Sequence, residues 1–337
     1  MTTTRKFATI RTINTIQPIP DADRIEVAKI GGWQIIIPKD THQAGERVVY
    51  IEIDAALPLA RPYFAHLSTR KITQLHDHPG DWHVLKTARM RGVYSQGLIL
   101  PLETVGDLPT GTDVTELLGI KKYEPVLPAT TKHTIAGKFH PLIRKTDAER
   151  VQNLHDQWEA IADHAWVATR KLDGQSITVY NDEHGQMHVY SRNWEIRPEG
   201  TLYDLATFYH AQLFPNTYVQ CEYVGPRIQG NRLGLREPQL AVFGYYSLNF
   251  GYYDTHDTPT APRTNAIPRT QWPQWVLNNA VPTIPITFPE TPEAAIELAS
   301  SLPKNEEGIV WHTLLGTLLP ELDYRECFKA INNKYLL

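Results

Sequence analysis

The sequence is poor in the features that mark several protein classes. It has two cysteines, Cys221 and Cys327, in 337 residues. That excludes a disulfide-stapled scaffold and suits a reducing compartment, so the cytoplasm is expected. No apolar run approaches the ~20 residues that span a bilayer. The opening MTTTRKFATI lacks the apolar stretch of a signal peptide. Charge of neither sign dominates: 33 basic against 37 acidic residues gives a net charge of −4, which excludes bulk electrostatic capture of nucleic acid but permits a local basic groove. No internal repeat and no long low-complexity tract is present.

What is there is an ordinary globular composition, 42% hydrophobic, in a chain long enough for two domains. In the first ~120 residues, RIEVAKI, GWQIIIP, ERVVYIEI and SQGLILPL are β-branched runs broken by polar turns, the pattern of a small β-barrel. VTELLGIKKYEPVLPATTKH reads as the seam. The expected division is a β-domain over 1–125, a linker over 126–138 and a second domain over 139–337.

The second domain reads as α+β on antiparallel sheet. KTDAERVQNLHDQWEAI predicts a helix. Thr146 and Glu149 have the spacing of a capping box, and Val151, Leu154, Trp158 and Ile161 form one apolar stripe. WVATRK, SITVYND and MHVYSRN predict a meander with LDGQ and DEHGQ as its turns. TYVQCEYVG, QLAVFGYYSL and EGIVWHTL are further strands. ETPEAAIELASSL predicts a helix capped near Thr291.

Lys171, Asp173 and Gly174 lie in the KLDG turn. Lys-x-Asp-Gly alone arises by chance in roughly one chain in fourteen of this length. It is followed, in order, by SRN at 191–193, EYVG at 222–225, LAVFGYY at 240–246, EEGIVW at 306–311 and FKAINNKYLL. In order and spacing these resemble the motifs of covalent nucleotidyltransferases, the polynucleotide ligases and RNA capping enzymes. In the front half, PDADRIEVAKIGGWQIIIPKD and MRGVYSQGLILPL resemble the N-terminal OB domain of the fifth family of ATP-dependent RNA ligases, although related OB modules also occur in tRNA-binding domains. RKTDAERVQNL and NNKYLL are similar to that family too. The fold implied is an OB-like β-barrel followed by an antiparallel-sheet nucleotidyltransferase domain of ATP-grasp-like ligase type. DNA ligases and capping enzymes usually carry an OB barrel after the last motif. Here Leu337 follows Lys329 closely, so the expectation is an OB domain in front.

The resemblance implies ATP and Mg²⁺ (or Mn²⁺) as cofactors, RNA and RNA-containing nicked duplexes as substrates, and a monomer. Lys171 would be the nucleophile that takes AMP. Asp173 would lie near ribose or a metal-bound water, with Gly174 completing the turn. Arg192 would contact sugar, phosphate or the RNA end. Glu222 would hold ribose or hydrated metal, Phe243 would stack on adenine, and Glu307, preferred to Glu306, would position the metal. Lys329 and Lys334 would hold the α-phosphate. Lys39, Lys86, Arg89 and Arg91 would help the OB domain grip the duplex. The activity implied is the sealing of 3′-hydroxyl/5′-phosphate breaks, above all nicks with RNA on the 3′-hydroxyl side. A DNA ligase, a capping-type enzyme and an inactive RNA-binding protein remain as alternatives.

The chemistry demands a neutral amine at Lys171. A free lysine is neutral in about one part in a thousand at neutral pH, and lowering its pKa by ~3 units takes about 4 kcal/mol. Arg170, Arg192 and a divalent cation are the groups expected to favour that form. The sequence departs from the family at three places: Arg170 where glutamate is frequent, Gln175 where serine is frequent, and Cys327 where a lysine is common.

Overall fold

The computed structural model describes residues 5–75, 78–123, 134–248 and 264–336. They fall into two compact units, whose principal spans are residues 4–127 and 128–335.

The first unit is built of short antiparallel strands. Arg47–Ile51 lies between Ala8–Thr12 and Leu98–Pro101. Strands alternate their side chains between two faces. Val49 and Ile51 therefore enter one apolar cluster, with Phe7, Ile10 and Leu57, while Val48 and Tyr50 enter another, with Trp33, Ile35 and Ile37. Cover on both faces explains the unbroken apolar run in the sequence. Ala88–Met90 and Val93–Ser95 form a hairpin closed by Arg91-Gly92. Both turn residues have positive φ, 49° and 80°, as a two-residue hairpin turn of matching twist requires. The expected 126–138 linker lies largely outside the described residues. Its last part, Ile135–Lys138, is an edge strand paired with Trp194–Ile196.

The second unit holds two sheets. The seven-stranded one contains Gln175–Asn181, Thr217–Val224 and Gln239–Leu248. One face packs Ile177, Val179, Cys221 and Val242 against the helices Thr201–His210 and Gln274–Asn278. The other face carries Tyr180, Tyr190, Tyr218 and Tyr246, with Tyr218 and Tyr246 stacked across the strands at 4.9 Å. The five-stranded sheet contains Trp166–Lys171, Gly308–Thr313 and Cys327–Ile331. Its apolar face buries Ala168, Ile309, Trp311 and Phe328 with the helix Pro292–Ser301. Thr291 caps that helix as expected, its side chain accepting from the Ala294 amide at 3.1 Å.

Two expectations fail here. The first is half of the meander: Gln175–Asn181 and Met187–Ser191 pair across the DEHGQ turn as expected, but the hairpin before them does not form. Trp166–Lys171 and Gln175–Asn181 do not pair; they belong to different sheets. Lys171 pairs with Gly308, and Gln175 pairs with Tyr223. The LDG turn therefore carries the chain from one sheet to the other. The second is the helix over 145–161. Only Trp158–Ala162 is α-helical, preceded by 3₁₀ turns at Val151–Asn153 and His155–Gln157. Glu149–Arg150 instead extends the five-stranded sheet, parallel to Phe328–Lys329. Thr146 Oγ1 bonds Ser176 Oγ at 2.7 Å, and the Glu149 carboxylate accepts from Arg150 N and Asn153 Nδ2. Both side chains are thus drawn away from the box. The apolar stripe is real: Val151, Leu154, Trp158 and Ile161 share one cluster. Sheet pairing outweighed the local helical preference.

Replacing Thr291 by alanine removes the cap and should cost about 1 kcal/mol. The expected outcome is a fall in the melting temperature of about 2–4 °C, read by thermal unfolding.

Candidate active site at the sheet crossing

Two glycines let the crossing form. A Cβ at Gly174 would sit 2.3 Å from the Tyr223 carbonyl oxygen and 3.0 Å from Glu222 Cγ. A Cβ at Gly308 would sit 2.2 Å from the Ala330 carbonyl oxygen. These close approaches bring three carboxyl-bearing segments to Lys171. The Gly308–Thr313 strand delivers Glu307, whose Oε2 lies 2.6 Å from Lys171 Nζ. The Thr217–Val224 strand delivers Glu222, whose Oε1 accepts from the Gly174 amide at 2.9 Å. Asp173 accepts a hydrogen bond from Tyr335 Oη.

The electrostatics follow from that crowding. Burial disfavours the Lys171 cation, but Glu307, Glu222 and Asp173 outweigh it and hold the amine above its ordinary value. Glu222 is held up to about 7, first by burial, with Glu307 and Asp173 adding to the effect and Lys171 opposing it. The two arginines expected to favour the neutral amine face elsewhere. Arg170 pairs with Glu306 at 3.0 Å, and Arg192 pairs with Asp147 at 2.5 Å. Alternation along Trp166–Lys171 turns Arg170 away from the face that carries its neighbour.

The cross-strand registers place the remaining residues. Thr169, Val310 and Lys329 form one row, and Lys171, Gly308 and Ile331 the next. Lys329 therefore shares the face of Lys171, two strands away. Lys334 is exposed, with its amide held by Asn332 Oδ1 at 3.0 Å. Phe243 is the extra residue of a β-bulge, between Val242 paired to Cys221 and Gly244 paired to Gln220. It lines a pocket together with Tyr246, Arg269, Trp272, His312 and Glu326. Burial pushes the His312 imidazole down to about 4, with Arg269 adding to the effect and Glu326 opposing it, so it is neutral. In the first unit Lys39, Lys86, Arg89 and Arg91 are all exposed. Arg89 and Arg91 sit on the 88–95 hairpin, where the Arg89 guanidinium lies 5.5 Å from the Tyr94 ring centre.

Three residues not singled out in the sequence hold this arrangement. Asn332 is fully buried and donates through Nδ2 to the carbonyls of Pro303 and Glu306, while its amide bonds the Glu307 carbonyl at 2.8 Å. It fixes the segment that presents both glutamates. Tyr335 braces Asp173, and the Arg232 guanidinium stacks 4.1 Å from the Tyr335 ring centre. The cues in the sequence are the polar Asn-Asn pair closing the apolar run FKAI and the NNKYLL string that holds both Asn332 and Tyr335.

Comparison with known proteins shows the same arrangement of modules. The OB-fold domain family matches residues 7–102, and the RNA ligase family matches residues 164–331. The chain is 32% identical to the Naegleria gruberi RNA ligase solved with PPi, over 99% of this chain and 98% of that one, with a TM-score of 0.79. This chain belongs to the RNA ligase family. Structures of two Naegleria gruberi RNA ligase mutants, one with ATP and Mn and one with AMP and Mn, match the ligase at 32% identity over 98% of each chain, with TM-scores of 0.78. No curated protein matches significantly. The OB-fold front and sheet-rich ligase domain agree with the fold class read from the sequence. Among the described residues no helix is long and apolar enough to cross a membrane.

The Glu222 environment gives a signed pH dependence. A carboxyl held up in the folded state stabilises it fully below the ordinary carboxylate value, and that contribution is lost as pH rises through about 7. Glu222→Gln keeps the acceptor for Gly174 and cannot ionise. In the presence of chelator, its melting temperature relative to wild type should rise between about pH 5 and about pH 8. An offset that stays flat with pH would count against a raised Glu222 carboxyl.

Proposed function

We propose that this ATP-dependent RNA ligase works through a lysyl-AMP intermediate on Lys171. The observation that carries the reading is the Lys171 amine set 2.6 Å from Glu307, with Glu222 and Asp173 close enough to raise its pKa. In the first step Lys171 Nζ forms a bond to the α-phosphorus of ATP, the bond to pyrophosphate breaks, and the amine loses its proton. In the second, a 5′-phosphate oxygen of the nucleic acid attacks that phosphorus and the P–N bond breaks. In the third, a 3′-hydroxyl attacks the 5′-phosphate and AMP leaves.

The carboxylates that keep the proton on Lys171 are also a hard, all-oxygen donor set. Asp173, Glu222 and Glu307 fit a hydrated Mg²⁺ or Mn²⁺; Glu222, held near 7 first by burial, would ionise more readily beside such an ion. When bound, the ion supplies positive charge beside the α-phosphate and weakens the hold of the carboxylates on the amine proton. Lys329, on the face of Lys171, would neutralise the phosphate, and Phe243 at the bulge would stack on the base. Arg192 would reach phosphate or the RNA end by leaving Asp147, and the exposed Lys334 would contact phosphate. The exposed Lys39, Lys86, Arg89 and Arg91 would contact the duplex backbone, and the enzyme acts as a monomer in the cytoplasm.

Incubation with α-labelled ATP and Mg²⁺ should label the wild-type chain covalently, faster as pH rises because the amine pKa is held up. Lys171→Ala should reduce labelling to background. Absence of label on the peptide carrying residue 171, during active strand joining, would refute the intermediate. In a series of nicked duplexes, those with RNA on the 3′-hydroxyl side should be sealed faster than all-DNA nicks. Equal rates would remove the nick preference from the proposal.

A further inference from the structure

A second cluster of metal-ligand type lies on the same face of the five-stranded sheet as Lys171, but further along it. His312 and Cys327 are direct cross-strand partners. Glu326 precedes Cys327, and one ligand atom from each of the three residues lies within 4.8 Å of the others. His312 is nine-tenths buried, at 8% exposure, and its Nε2 has no hydrogen-bond partner among the described residues. An unbonded imidazole nitrogen at such depth costs free energy unless something occupies its lone pair or takes its proton. Glu326 is oriented by Tyr246, whose Oη donates to Oε1 at 2.5 Å. Metal-binding carboxylates are commonly braced by such an outer hydrogen bond.

We propose that His312, Glu326 and Cys327 form a site for a thiophilic divalent cation of the zinc class, separate from the oxygen-ligand site at Lys171. Sulfur, imidazole nitrogen and carboxylate oxygen are the donors zinc takes in tetrahedral sites, and three protein ligands leave a fourth position open. Mg²⁺ selects oxygen alone, so the two clusters sort different metals. They are also apart. His312 stands four residues along the strand from Gly308, the partner of Lys171, or roughly 13 Å at the rise of an extended strand. The charges balance. Thiolate and carboxylate offset the ion, and the thiol proton is released on binding. Arg269 shares the pocket wall, its guanidinium 4.7 Å from the Trp272 ring centre. The inference does not rest on the lysyl-AMP reading.

The test uses the purified full chain, stripped with chelator and titrated with Co²⁺. A thiolate-to-cobalt charge-transfer band and tetrahedral visible bands should saturate at one equivalent, and Zn²⁺ should displace them. Cys327→Ser and His312→Ala should abolish the charge-transfer band. Cys221→Ser should retain it, since that thiol lies in the core of the other sheet. Glu307→Ala should lose covalent labelling by ATP yet keep the band, which separates the two sites. A wild-type chain without the band, or a band that survives Cys327→Ser, would overturn the proposal. Circular dichroism of the two site variants checks that they fold. Should they unfold, displacement of Co²⁺ from wild type by Zn²⁺ but not by Mg²⁺ still supports the site, and displacement by both overturns it.

Discussion

The ligase depends on one crowded contact, the Lys171 ammonium against the Glu307 carboxylate at 2.6 Å with two more acids close behind. Three carboxyl groups would repel one another without the cation, and the cation would be costly to bury without them. Each therefore holds the other in place while keeping the Lys171 amine protonated. On the proposed lysyl-AMP chemistry, reactivity would have to come from something that competes with lysine for the carboxylates, which is the physical reason a divalent ion would belong there.

That contact exists because the chain changes sheets at residues 172–174. A hairpin would have set Lys171 beside its own next strand. Crossing sets it opposite Gly308 and sets Gly174 beside Glu222, so residues distant in sequence meet within hydrogen-bonding range. The two glycines are required by space: backbone oxygens lie within 2.3 Å of where a side chain would start. The turn residues thus serve packing between strands as much as chemistry.

Most strands were legible in the sequence because alternation and β-branched runs report directly on faces that are covered. The strand Arg47–Ile51 read as a continuous apolar run because each of its faces meets a different core. The motif residues around Lys171 were legible through order and spacing. Pairing partners were not. An LDG turn looks the same whether the next strand returns beside the first or departs for another sheet, and only long-range register decides. The 145–161 segment misled for a related reason: its apolar spacing suits an α-helix and also suits successive 3₁₀ turns, and the edge of a sheet claimed Glu149 and Arg150. Asn332 and Tyr335 escaped notice because their work is done on backbone carbonyls and on another side chain, which no local pattern encodes.

The bracing of the acids by Asn332 and Tyr335 has a consequence for biosynthesis. Tyr335 lies 162 positions after the aspartate it holds. A polypeptide still emerging from the ribosome exposes Lys171 and Asp173 long before the residues that brace that aspartate have been made. Such a nascent chain has the lysine without the assembled carboxylate cradle.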